Sequence, residues 1–220
     1  MVPDRFDRCV RVHHVLPERR RWADVAPQYL VRGAPYEYPF PVAVAAAEGD
    51  LGDAVVDRLV EHLFRRSGRE IPSHYGLWTG WGDLHAASNM VLRVHDRRPW
   101  NRVLGRARAR RAERAWLAQA RPAYDFVDAC PTVNWWGGRE MGVFDGPLSC
   151  ARTIGAVSPW REGEVCRRGP QWWWPGSRDW FVANEIDHPW SYLGGPRALV
   201  EAILADDALE AVAVDFSDDW

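Results

Sequence analysis

The chain contains no lysine; all 28 basic side chains are arginine. That absence removes a Schiff-base amine and the phosphate-holding lysine of a P-loop from any mechanism the protein uses. Cysteine is sparse too. Cys9, Cys130, Cys150 and Cys166 stand far apart, without a C-x-x-C pair or the spacing of a zinc knuckle. His74, His85 and His95 are separated by loop- or strand-length intervals, and no H-x-x-x-H falls on a helix. There is no G-x-S-x-G, and the glycine-rich GLWTGWGDL is not followed by a helical pattern, so neither a nucleophile elbow nor a phosphate cradle is offered. Together these absences imply no metal and no cofactor, and they weigh against an enzyme. No apolar run approaches bilayer length, and MVPDRFDRCV carries charges where a secretory signal needs an apolar core. The expectation is a cytoplasmic protein with reduced thiols and no membrane association. A net charge of −2 supplies no general pull toward nucleic acid.

What the chain has is an ordinary globular balance, 47% hydrophobic and 26% charged, and enough length for a sizeable core. Two helices stand out. Over Asp53 to Arg66, Val55, Val56, Leu59, Val60, Leu63 and Phe64 merge into one broad apolar face, with Arg65 and Arg66 at the negative end before Gly68. After Gly194-Gly195-Pro196, residues Leu199, Val200, Ile203 and Leu204 form a second apolar stripe. Strands are expected at Leu77 to Leu84, Met90 to Val94 and Met141 to Phe144. Another is expected from Trp180 onward, with Trp180, Val182, Asn184 and Ile186 on one face and Phe181, Ala183, Glu185 and Asp187 on the other. Ala211 to Val214 reads as a closing strand. Gly146-Pro147 opens a short helix near Ser149 to Ile154, and Ser158 to Gln171 reads as a connecting loop. Helices and strands alternate too irregularly for a doubly wound fold. The pattern predicts an α+β protein, a mainly antiparallel sheet with helices packed on one face.

Residues 1–21 are polar, hold Pro3 and Pro17 and end on Arg19-Arg20-Arg21, so they read as a loosely held arm. Residues 22–220 read as one α+β domain with an Arg-rich helical insertion near 100–121. Charge is polarised along it. Ten arginines face two acids between Arg93 and Arg121, whereas ten acids face Arg197 alone from Asp179 to the end. An Ala/Arg helix is expected from about Arg106 to Gln119, since both residue types favour helix. Its Arg106, Arg108, Arg110, Arg111 and Arg114 are candidates for phosphate contact. The acidic C-terminal part offsets them, which disfavours nucleic acid as the main partner.

Several stretches resemble one family. RDWFVANEID, then SYLGG and a helix of the RALVEAIL type, resemble the end of a family of uncharacterised proteins from high-GC bacteria, in which a Trp-Pro turn precedes the strand and a Tyr-aliphatic-Gly-Gly turn the helix. Leu77-Trp78-Thr79-Gly80-Trp81-Gly82 and Phe144-Asp145-Gly146-Pro147-Leu148 resemble it as well. The likeness runs from about Arg21 to Phe216, with the Arg-rich segment as an insertion. It implies one shared architecture and assigns no catalytic residue.

Candidate binding residues come from the aromatics and acids. The 14 tryptophans are the compositional oddity, and such rings are enriched at protein interfaces. Trp78, Trp81, Trp180, Trp190 and Tyr192 are the aromatic candidates. Glu185 and Asp187, two apart beside them, suit an acid/base pair or a ligand contact. A solvated strand end explains the two acids as well. The leading expectation is a non-catalytic module that binds a protein partner, of the immunity or toxin-neutralising kind by analogy alone. The alternatives are a small enzyme or ligand-binding domain at Glu185/Asp187, and nucleic-acid association through Arg93 to Arg121.

Overall fold

A computed structural model describes residues 2–34, 49, 51–81, 99–135, 138–157, 165–167, 169–215 and 218. The expected strand at Met90 to Val94, with His85, His95 and the arginines from 93 to 98, lies outside the described residues. The chain forms two compact units: Met1–Leu77 with Val143–Ile154 and Arg167–Trp220, and Trp78–Gly142 with Gly155–Cys166. The fold class is α+β, built on antiparallel strands.

The strands are β1 (Arg8–His13), β2 (Pro72–Trp78), β3 (Thr132–Trp135), β4 (Arg139–Pro147), β5 (Gly155–Val157), β6 (Val165–Arg167), β7 (Trp172–Pro175), β8 (Phe181–Asn184), β9 (Trp190–Gly195) and β10 (Ala211–Val214). The helices are α1 (Trp22–Val25), α2 (Asp53–Ser67), α3 (Pro99–Ala129) and α4 (Arg197–Leu204).

In the first unit the strands run in the order β10-β1-β9-β8-β7-β2-β4. β1 pairs antiparallel with β9 and β10 at once, placing Arg11 opposite Tyr192 on one side and Val212 on the other. Arg8–His13, assigned by composition to a polar arm, is therefore an interior strand. Its alternation explains why. Val10 and Val12 face the apolar core, whereas Cys9, Arg11 and His13 point to the opposite face, where they are also buried. Burial of both faces hides the strand from a reading that looks for one wet side.

The core joins Val10, Val12, Tyr75, Trp173, Val182 and Leu193 of the sheet to Val55, Leu59 and Leu63 of α2 and to Leu199, Val200 and Ile203 of α4. The two longer helices of this unit thus cover one sheet face, as the apolar stripes predict. α2 begins after Gly52, and Gly68 (φ +67°) ends it in the left-handed region, its N–H donating to the Phe64 carbonyl at 2.9 Å. Phe64, counted with the apolar face from the sequence, lies at its edge and is 43% exposed. The opposite sheet face is closed by Trp22 of α1 and by Tyr29, whose rings lie 6.3 and 5.7 Å from that of Trp190.

In the second unit β3 pairs antiparallel with residues 139–142, the first part of β4, with Thr132 opposite Gly142 and Trp135 opposite Arg139. β6 lies inside the stretch expected to be loop and pairs with β5 just before it, and α3 extends well beyond the Arg106 to Gln119 expectation at both ends. No helix among the described residues is long and apolar enough to cross a membrane.

Candidate functional site

The sequence-derived candidates divide between the two units, and those of the first unit do not converge. Trp78 and Trp81 belong to the second unit, where their rings meet edge to face at 5.4 Å. Trp180 is buried in the core of the first unit, its ring 5.7 Å from Trp173. Trp190 and Tyr192 are buried on the opposite sheet face, where Trp190 Nε1–H donates to the Tyr192 hydroxyl at 2.8 Å. β8 ends at Asn184, so Glu185 and Asp187 do not share a strand face. They sit half-buried in the turn before β9, and Glu185 Oε1 accepts the Ile186 N–H at 2.9 Å. Pro189, with no N–H to give a ladder, follows this turn directly. Arg108, Arg110, Arg111 and Arg114 are exposed on α3, as expected of a surface helix.

Two polar concentrations do form in the first unit. One is the buried cluster on the sheet face away from α2 and α4. The Arg11 guanidinium lies 4.8 Å above the Trp190 ring and donates to the carbonyls of Tyr29 and Val31 at 2.5 and 2.9 Å. His13 places its ring nitrogens 3.1 Å from the carbonyls of Glu210 and Tyr29. Burial, then the Arg11 charge, pushes the His13 imidazole down to about 3, so it is neutral at ordinary pH. His14 Nε2 is 2.9 Å from Ser191 Oγ, and burial pushes the Tyr192 phenol up to about 12. Side chains fill this cluster, and it ties β1, β9 and the α1 region together.

The other concentration is open. A groove of about 900 Å³ runs between α2 and α4. Local sequence builds both walls. On α2, Arg58, His62, Arg65 and Arg66 recur at helical spacing beside the apolar stripe, so they share one flank. On α4 and its C-cap, Ala198, Ala202 and Ala205 recur at i, i+4 and i+7, and their methyl groups leave an uncharged floor. The turn after α4 supplies Asp206 at the groove's end.

Asp206 organises this end. Its carboxylate accepts Arg58 Nε–H at 2.5 Å and an Arg58 NH2 hydrogen at 3.1 Å, a two-pronged contact. It also accepts His62 Nε2–H at 2.7 Å and the Ala208 N–H at 3.1 Å. The Arg58 hydrogen bonds hold this carboxyl well below the usual carboxylate range; burial opposes them, and the His62 and Ala208 bonds add to the lowering. An ionised Asp206 can only accept, so His62 Nε2–H is the donor in their contact. His62 is 8% exposed and lines the groove. Glu61 pairs with Arg58 at 2.8 Å and with Arg65 at 3.5 Å, while Arg65 stays 64% exposed.

The sequence shows the spacing of these α2 residues and of the α4 alanines. It does not show that Asp206 meets His62, a contact spanning 144 positions. No protein-family model, no curated protein and no solved structure matches the chain.

Proposed function

We propose that the protein is a binding module that acts without catalysing a reaction, and that it takes an acidic segment of a protein partner between α2 and α4. The observation that carries this reading is the groove itself, an alanine floor bordered by Arg65 and Arg66. Small side chains let a second backbone approach closely. Exposed arginines on the α2 side complement carboxylates of the incoming segment and speed encounter. Because Asp206 is already engaged by Arg58, its charge is largely answered within the wall. The groove is thus an amphipathic helix-in-groove site whose positive side selects the partner.

An NMR titration of the full chain with a helical Glu/Ala peptide tests the reading. Amide shifts should concentrate in α2, α4 and the turn holding Asp206. Ala202→Trp, which fills the floor, and Arg65→Glu with Arg66→Glu, which reverses the rim, should each weaken binding about tenfold, equivalent to about 1.4 kcal/mol. Shifts scattered over the surface and unchanged by these variants refute the proposal. A second reading rests on the exposed Arg108, Arg110, Arg111 and Arg114 of α3, which suit nucleic-acid phosphates. Binding to a DNA or RNA duplex whose affinity falls steeply with salt, and less steeply when these four become glutamine, supports it; weak, salt-insensitive binding removes it.

A further inference from the structure

We infer that the outer edge of β10 pairs antiparallel with β10 of a second copy of this chain, joining two sheets into one about a two-fold axis at Val212. The contact uses the flank of α4 that faces away from the groove.

The ladder fixes which backbone groups are on offer. β10 ends the sheet, and among the described residues it pairs with β1 alone. His13 N–H donates to the Glu210 carbonyl at 2.9 Å, so Arg11–Val212 and Cys9–Val214 are the next hydrogen-bonded pairs of the antiparallel ladder. The N–H and C=O of Ala211 and Ala213 therefore point away from β1, and Ala213 is exposed. At Asp215 the outward groups are answered within the chain: its N–H donates to Asp218 Oδ2 at 2.7 Å, and its carbonyl accepts the Asp218 N–H at 3.0 Å. This leaves, among the described residues, two donors and two acceptors on the strand AVAV. It carries none of the charge, proline or bulge that blunts exposed edges. A second β10 brings matching groups at the same spacing. With Val212 opposite its own counterpart, Ala211 of each copy meets Ala213 of the other, and four N–H···O=C bonds form.

The surroundings of the edge fit the same two-fold. α4 packs over β9, β1 and β10. Its Ala198 and Ala202 line the groove toward α2, while Leu199, Val200 and Ile203 are buried. Arg197, Glu201 and Leu204 consequently fall on the flank over the β10 edge. Leu204 is 38% exposed there, and Arg197 and Glu201 lie 4.0 Å apart on the surface. The two-fold turns the α4 flanks of the two copies toward each other in opposite directions. Leu204 then loses water, and each Arg197 gains the other copy's Glu201 as an opposite charge. On the other sheet face Val31, 52% exposed, is held beside the edge, its carbonyl accepting from Arg11, which stands opposite Val212. The strand ends agree in charge as well. Arg21 with Glu210 stands at one end of β10 and Arg32 with Asp215 at the other. Antiparallel pairing sets each end beside the opposite end of the other copy, so an arginine and an acid meet an arginine and an acid. The contact is short, so the dimer is weak and its population depends on concentration.

Sedimentation velocity of the full chain from roughly 10 μM to 1 mM tests the pairing. The weight-average mass should rise toward that of two chains. Ala213→Pro removes an outward N–H that β1 does not use, and Leu204→Glu places a charge on the exposed flank. Each should weaken association about tenfold with cooperative melting retained. If Ala213→Pro does not fold, Leu204→Glu at its exposed helix position decides. Cross-linking with copper phenanthroline reads the register against the wild-type background of free thiols. Val212→Cys, about 4.5 Å from its own counterpart at a non-hydrogen-bonded position, should give a disulfide-linked dimer, whereas Ala213→Cys, two residues out of register with itself, should not. A single-chain mass at every concentration overturns the proposal, as does association that the variants leave unchanged. Equal cross-linking at the two positions, or none at 212, overturns the two-fold register. Peptide binding between α2 and α4 is measured separately and survives each of these results.

Discussion

Replacing Asp206 by asparagine keeps the side chain's shape and one acceptor oxygen but removes the charge that Arg58 and His62 share. The carboxylate is 5% exposed, whereas Arg58 is about one-third exposed at 34%, so water takes up part of what Arg58 loses. The buried His62 Nε2–H loses a charged acceptor, and the amide NH2 of asparagine, if turned toward it, would oppose donor to donor. A loss of about 2 kcal/mol at pH 7 is expected, the lower part of the range for hydrogen bonds to a buried charged group. The pH dependence is the sharper test. The folded-state pKa of Asp206 lies below its ordinary value of 3.8, so the unfolded chain binds more protons as the solution turns acid. The Asp206 contribution is therefore complete above about pH 5 and is lost as pH falls toward the folded-state pKa, at about 1.4 kcal/mol per unit once below the unfolded value. Urea denaturation of wild type and Asp206→Asn at about pH 7 and about pH 3 should show the gap narrow by about 1 kcal/mol. A gap that is constant, or that widens in acid, refutes the account of Asp206 as an ionised, Arg58-held carboxylate.

Ile203→Asp places an unpaired carboxylate where the side chain is wholly buried, and should cost more than about 4 kcal/mol, seen as loss of cooperative melting. Gly194→Ala should cost about 1–3 kcal/mol, because its Cβ would overlap Val2 Cγ1 and lie 2.7 Å from Phe6 Cδ2. Proteolysis of the first residues should accelerate with it, and unchanged cleavage would contradict the packing of Val2 and Phe6 over the sheet. Glu185→Gln with Asp187→Asn should change stability by less than about 0.5 kcal/mol, since the side-chain amide introduced at position 185 keeps an acceptor oxygen for the Ile186 N–H. A larger loss, with altered Tyr192 or Trp190 ring resonances, would show that the two acids support the buried cluster.

What could be read from the residues depended on how far apart the interacting groups lie. α2, α4 and β10 were legible because each carries its own periodicity: Leu59, Leu63, Leu199 and Ile203 point inward wherever the helices dock. β1 was not legible. Arg11, His13 and His14 look like solvent residues until Tyr29, Glu210 and Ser191, between 16 and 197 positions away, supply their partners. The alternating faces drawn from Trp180 through Asp187 ran past the true strand end at Asn184, since the turn is set by Pro189 and by the Asn184 N–H bond to Gln171 O at 2.6 Å. The groove was half legible. The alanine spacing of α4 and the flank of α2 are in the sequence, but Asp206 in Ala205-Asp206-Asp207-Ala208 reads as an ordinary exposed acid. Only folding brings it to Arg58, across 148 positions.

The position of β1 between β9 and β10 also sets an order of events during synthesis. Both partners of Arg8–His13 come from the last part of the chain, beginning at Trp190 and Ala211. At about 5–20 residues per second, a ribosome needs roughly 10–40 s to make the intervening stretch. Throughout that interval Val10 and Val12 leave the exit tunnel without a sheet to join. A nascent chain halted before Trp190 would therefore hold an orphan apolar strand, an attractive client for chaperones and proteases.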